Sequence, residues 1–214
     1  ARQVHTEKIA ENFTGSVLLT PFASMELLTW LAGQVGDSAL LSDSSIYKER
    51  VGEDIASPLL SIRHSISNGA AICPHTDDGY VLEDFNLLEK GVLKTLLPSN
   101  YTSRKLGLSH RPSGGAYSIA QGETAMQKLV QGMDRGAVVG RISMGRPVAN
   151  GDFSGVIKNS FHIENGKVGT ALNETMISGN LASMLNSIDG ISIETVDYGT
   201  AALPWIRIPG LVFS

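Results

Sequence analysis

The sequence predicts an α+β, β-rich molecule, mostly antiparallel sheet and hairpins with about three packed helices. Three observations carry this. Two glycine-containing turns, Glu89-Lys90-Gly91 and Glu164-Asn165-Gly166, are each flanked by short apolar runs, as in hairpins. Apolar residues at three- and four-residue steps are confined to a few windows, such as Met25, Leu28, Leu31 and Val35. No linker or abrupt change of composition divides the chain, so residues 1–214 are read as a single domain.

The elements follow in order. Residues 14–20 read as a buried strand that Pro21 breaks, and a helix begins at Phe22 or Ser24 and runs to Val35. Residues 43–52 suggest a short polar helix, and 59–66 a strand. Residues 68–80, rich in Gly, Pro and Asp, are loop. A hairpin spans 81–97 and ends at Pro98, and a short helix covers 100–106. After a flexible loop at 107–115 come a strand at 116–120 and a helix at 124–135. That helix carries Met126, Leu129, Val130 and Met133 on one face, with Gly136 as its stop. A strand is expected at 137–144. A second hairpin then turns at Glu164, Asn165 and Gly166, and Thr175 caps a helix with Ile177, Leu181, Met184, Leu185 and Ile188 on its stripe. Strands at 191–196 and 206–213 close the chain, with Pro204 and Pro209 suited to edges or irregular ends. Hairpin, glycine turn and helix occur in that order at 81–106 and again at 156–188, a pattern open to duplication or coincidence.

Composition excludes some functions. Hydrophobic residues make up 42% and charged residues 18%, as in a globular chain. The formal net charge is −4 and there is no run of Lys or Arg, which disfavours direct nucleic-acid binding. No apolar run approaches the roughly 18 residues of a membrane span. The single cysteine, Cys73, allows no intrachain disulfide and suits a cytoplasmic location. The chain opens at Ala1 rather than Met, as a processed or partial chain would.

Few residues stand out as chemistry. Cys73, His75, Asp77 and Asp78 form the only cluster of metal-compatible types, but structural zinc needs four ligands at longer spacings, so an exposed acidic turn is favoured and no metal is assigned. Arg104 and Lys105, beside Tyr101, could clamp a carboxylate such as a peptide C-terminus, or be a solvated helix face. Asp152 and Ser154 bracket Phe153 and read as turn residues. Ser154 lacks the spacing of a nucleophile elbow. Gly179, inside the expected helix beside Asn180, implies close packing against the core or a partner. Glu89 and Glu164 could do acid–base chemistry only if adjacent, which nothing in the sequence requires.

Several blocks resemble one family. Gly151-Asp152-Phe153-Ser154, then Ile163-Glu164-Asn165-Gly166, then Thr175 through Gly179, Asn180 and Leu181 occur in an order similar to the C-terminal region of the TldD/PmbA family. Members of that family were long labelled modulators of DNA gyrase and are regarded as metalloprotease subunits. Residues 89–94, 101–107 and 199–204 resemble further family blocks, the last of them the ending of the TldE/PmbA branch. The resemblance runs from about residue 14 to the end and covers only the C-terminal half of a full member. The α+β region that precedes it in the family is absent from these residues.

The resemblance implies a peptidase subunit. The family's metal-bearing TldD branch carries His-Glu-x-x-x-His in the preceding region and a further cysteine ligand near the C-terminus. Here His5, His64, His75, His110 and His162 are scattered, and no cysteine follows Cys73. The expectation is therefore a subunit without its own catalytic metal or cofactor, with zinc in a TldD-type partner. The assembly would be a heterodimer with that TldD-like subunit or a homodimer, acting on unfolded peptides, with no nucleic acid and no membrane. The alternative is a non-enzymatic regulator of the gyrase-modulator type, working through protein contacts.

Overall fold

Side chains alternate along the strand Phe13–Leu19, and that alternation sets the layers. The computed structural model describes residues 5–9, 11–66, 75–173 and 175–214. After β1 (Thr6–Glu7) the chain enters β2 (Phe13–Leu19). Val17 and Leu19 join the main core, and Leu18 joins a second, smaller one. Thr20 ends the strand and accepts a hydrogen bond from Ala23 N–H, capping α1 (Pro21–Val35). Pro21 breaks the strand and also opens the helix, where its missing N–H costs nothing. α1 buries Ala23, Leu27, Leu28, Leu31 and Val35, and α2 (Asp37–Leu41) follows it.

The polar helix expected at 43–52 is a run of turns. Asp43 has a positive φ of 54°, and it pairs with Lys48 while Arg50 pairs with Glu53. Tyr47 alone in that run is fully buried, which leaves no apolar stripe to hold a helix against the core.

β3 (Ile62–Ser65) pairs with β4 (Phe85–Glu89), which turns into β5 (Val92–Leu93). The turn residues Lys90 and Gly91 have φ of 49° and 83°, the two-residue turn that matches strand twist. Of the loop read at 68–80, only residues 75–80 are described, and they form a turn closed by Thr76 N–H on Tyr80 O. α3 (Asn100–Leu106) is capped by the Ser99 hydroxyl and stops at Gly107 in the left-handed region.

β6 (Ala116–Ile119) leads to α4 (Met126–Gln131), shorter than expected and stopped by Gly132. Gly136 lies instead inside β7 (Arg135–Val139), paired in parallel with Ser16. A Cβ at Gly136 would sit 1.8 Å from Ser16 O, so strand contact rather than helix termination requires glycine there. The strand expected at 137–144 is interrupted at Gly140, after which β8 (Arg141–Met144) begins. β9 (Asp152–Lys158) is followed by the hairpin of β10 (Phe161–Glu164) and β11 (Lys167–Leu172), turning through Asn165 and Gly166 at φ of 50° and 71°.

The segment after Thr175 corrects the helix reading. Residues 176–180 are a strand, β12 (Met176–Asn180), and only then does α5 (Leu181–Ser187) start. Ile177 pairs with Gly155 on one side and Phe213 on the other, so strand backbone is stabilised from both edges. Asn180, not Thr175, caps the helix by accepting Ser183 N–H. The hairpin–turn–helix order therefore recurs only in part, because β12 intervenes.

β13 (Gly190–Asp197) and β14 (Ala201–Phe213) complete the molecule. β14 is the central strand, with β2, β6, β12 and β13 all paired to it. Pro204 and Pro209 thus sit in the middle of the sheet rather than at an edge. Each falls at an irregularity that removes the need for its N–H. The β13 register shifts between Ile191 and Thr195, opposite Trp205 and next to Pro204, and the β2 register shifts between Ile208 and Leu211, around Pro209 and Gly210.

Fourteen strands and five helices are thus described, and ten of the thirteen strand pairings are antiparallel. From β14 the pairings run through β2 to β7, along the chain at Gly140 into β8, and back through β9 and β12 to β14. This circuit encloses Val139, Ile142, Ile157, Ile177 and Phe213 with α1 and α5. α4, through Leu129 and Val130, and Met133 just after it cover the sheet's other face. Among the described residues no helix is long and apolar enough to cross a membrane.

Candidate functional site

Asp152 stands at the start of β9, where the chain leaves the loop 145–151. Its carboxylate accepts hydrogen bonds from Asn180 Nδ2 and Asn150 Nδ2, both at 2.8 Å. Asn180, and then Asn150, hold this carboxyl below the usual range. Asn180 Nδ2 also donates to Asn150 O, and Gly151 O accepts Leu181 N–H. Gly151 has φ of 96°, and a Cβ there would lie 3.0 Å from the Trp30 ring. Phe153 is buried beside Gly179, and Ser154 is exposed and paired with Ser178. Asp152 and Asn180 thus tie a loop to the start of α5, and no base stands beside Ser154 among the described contacts. A Cβ at Gly179 would lie 2.6 Å from the Leu211 side chain, so close packing at this position is met inside the molecule.

Glu164, Asn165 and Gly166 are brought against α4. Asn165 N–H and Gly166 N–H donate to Asp134 O and Met133 O at 2.7 and 2.8 Å. Glu89 and Glu164 lie on strands separated by β7, β2, β14, β6 and β3, so they form no acid–base pair.

Tyr101, Arg104 and Lys105 are exposed on α3. Lys105 Nζ lies 5.7 Å from the Tyr101 ring centre, and both cations occupy the last turn, where they complement the helix dipole.

A larger concavity, about 690 Å³, opens next to α3. Its walls come from the α1–α2 junction, residues 75–78, Ser99 and residues 110–114. Asp37 Oδ1 accepts Ser99 N–H at 2.8 Å. Burial pushes the Asp37 carboxyl up, but the Ser99 and Thr102 hydrogen bonds and the charge of His110 outweigh it, and the net shift is down. The His110 ring meets Tyr80 edge-on at 4.5 Å. Burial raises the Tyr117 phenol to about 12. Arg111 is half-buried, 5.2 Å from the Phe85 ring, and its Nε has no acceptor.

The loop carrying Arg111 is pinned by His64. This imidazole is wholly buried, stacked on Phe85 at 4.5 Å. Its Nε2 accepts Gly115 N–H at 2.8 Å and its Nδ1 faces Glu83 O at 2.9 Å. Because a backbone N–H can only donate, Nε2 carries the lone pair and Nδ1 the proton.

Of the predicted metal-compatible cluster, His75, Asp77 and Asp78 line this concavity, and Cys73 lies outside the described residues. Among the described residues no three His, Cys, Asp or Glu side chains converge as a metal would require. Sequence reasoning did not single out Asp37, His110 or Arg111. Asp37 and the His110-Arg111 pair lie far apart in sequence with no shared motif, and the stretch 97–99 brings them together, through Ser99 N–H on Asp37 and Arg111 N–H on Pro98 O.

Comparison with known proteins places the chain. A model of the PmbA/TldA metallopeptidase C-terminal domain matches residues 13–214. Metalloprotease PmbA of Escherichia coli O157:H7 is 29% identical over 192 residues, covering 84% of this chain and 42% of that protein. The zinc metalloprotease TldD homolog of Saccharolobus solfataricus is 26% identical over 180 residues, covering 75% and 40%. In fold, a candidate modulator of DNA gyrase from Bacteroides thetaiotaomicron superposes with a TM-score of 0.91 at 25% identity, over all of this chain and 49% of that one. TldE from Thermococcus kodakarensis superposes with a TM-score of 0.82 at 21% identity, over 96% and 51%. The chain thus spans about two fifths of the length of these curated relatives and about half of the solved structures.

Proposed function

Because this chain belongs to the PmbA/TldA metallopeptidase C-terminal domain family, we propose that it is the C-terminal domain of a TldE/PmbA-like subunit of a metal-dependent peptidase that degrades or processes unfolded peptides. In this reading the domain contributes no metal ligand, zinc belongs to a TldD-like partner, and the assembly is a cytoplasmic dimer. The observation that carries the choice of branch is the absence of any cysteine after Cys73, where TldD-type members have a ligand. The resemblance of the Gly199–Pro204 block to the ending of the TldE/PmbA branch supports the same choice.

A strand edge supports the peptide role. β13 pairs with β14 on one side, and its other edge is covered near residues 192–193 by Gly122 N–H on Ser192 O and Ile193 N–H on Thr124 O. Residues 195–197 have no second strand partner among the described residues, which suits an added extended peptide. The net charge of −4 argues against direct contact with DNA.

The test is an unstructured peptide incubated with the chain alone, with a His-Glu-x-x-x-His-bearing partner alone, and with both. Chelator-sensitive cleavage is expected only in the mixture. Such cleavage by the highly purified chain alone would overturn the branch assignment.

A further inference from the structure

We propose that Arg111 is a carboxylate-binding residue, and that the 690 Å³ cavity it lines receives the C-terminal carboxylate of a short peptide. The peptide class rests on the peptidase reading above, whereas the carboxylate chemistry stands on Arg111 itself. A guanidinium keeps its charge at any physiological pH, so burial must be offset by a partner. Among the described residues three arginines are half-buried: Arg50, Arg207 and Arg111. Arg50 holds Glu53 and Arg207 holds Asp189, each at 2.8 Å. Among the described residues Arg111 makes no ion pair and no side-chain hydrogen bond, and its Nε is shielded from solvent without an acceptor. Nε is closed to a ligand, but a carboxylate entering from the cavity would supply the missing counter-charge at the terminal guanidinium nitrogens.

The guanidinium is also held in place. It lies over Phe85, its backbone N–H donates to Pro98 O, and the loop beyond it is anchored by Gly115 N–H on His64. The remaining walls select the ligand. Asp37, Asp77 and Asp78 share the cavity and would repel any anion, a phosphate or multiply charged one more strongly than a single carboxylate. They suit a ligand with a single terminal negative charge and N–H groups behind it. Exposed Arg104, the cation that sequence alone nominated for this task, has water to satisfy it and no such deficit.

The experiment is equilibrium dialysis of the chain against N-acetylated tripeptides of randomised sequence, supplied as free acids and as C-terminal amides. Free acids should be retained about tenfold or more over amides. Arg111→Leu should abolish the preference, Arg111→Lys should keep part of it, and Arg104→Ala should leave it unchanged. Equal retention of acids and amides by the wild type would overturn the proposal, and that comparison does not depend on any variant folding. Survival of the preference in Arg111→Leu would overturn it as well, as would retention of succinate or inorganic phosphate in place of peptide acids. No cleavage and no partner enter the assay. A failure here leaves the peptidase reading intact, and a failure of the cleavage test leaves Arg111 intact.

Discussion

His64 shows how one side chain can hold a loop. Its ring is buried between Phe85 and Tyr117, and the only protonation state compatible with Gly115 N–H is neutral. Burial pushes its pKa down, with the Glu83 carbonyl and the Asp84 charge opposing, and Asp84 is itself engaged by Arg63. A depressed histidine pKa means the unfolded chain binds the extra proton first. The stability held by neutral His64 is therefore full above about pH 6.5 and is lost as pH falls from there through the folded pKa. Melting followed from about pH 7 to about pH 5 should fall more steeply for wild type than for His64→Leu. That variant should start about 1–3 kcal/mol lower, because Gly115 N–H and Glu83 O lose their partner. Parallel pH profiles would refute the assignment. Asn180 is the second informative residue. Asn180→Ala should cost about 1 kcal/mol as a lost helix cap, read from a denaturant midpoint, whereas a helix starting at Thr175 would make it a neutral change.

At the scale of elements, pairing decides what local preference leaves open. Leu181 opens α5 wholly buried, so Leu181→Asp should unfold the chain through an unpaired buried carboxylate. Lys167 is exposed at the start of β11, opposite Glu164. Lys167→Glu places like charges across the hairpin and should cost less than about 1 kcal/mol. Thermal melts of the two variants check both, and an unchanged midpoint for Leu181→Asp would contradict the packing of α5. Gly136→Ala tests the β2–β7 contact. A methyl 1.8 Å from Ser16 O cannot be accommodated without moving a backbone, so a loss of about 1–3 kcal/mol is expected, where a helix-stop glycine outside the left-handed region would tolerate alanine.

At the scale of the molecule, the circuit of strands around α1 and the α4 layer give a scaffold, and donor chemistry is thin on it. The five histidines are far apart in sequence; His64 is consumed by its loop and His110 faces Tyr80. The purified chain should therefore bind no stoichiometric zinc. Elemental analysis near one zinc per chain, lost in Cys73→Ala, would reverse that expectation.

Sequence by itself determined the features that depend on near neighbours. Lys90-Gly91 and Asn165-Gly166 turn where they stand because few residues tolerate positive φ, so hairpins were legible on either side. The stripe of α1, the short helix α3 over residues 100–106, the β-rich α+β class and the family blocks were legible for the same reason. Only the tertiary structure decided the rest. Ile177 and Leu181 sit four residues apart, a spacing shared by a helix face and by two buried points on a strand followed by a helix, and pairing with β9 and β14 chose the latter. Pro204 and Pro209 entered the central strand at two register shifts, one with the preceding strand β13 and one with β2 at the far end of the chain, and neither shift is marked by the residues beside the prolines. Arg111 became distinctive only when Phe85, Pro98 and His64 closed around it, for an arginine's burial and lack of a counter-charge are properties of its surroundings and not of its sequence neighbours.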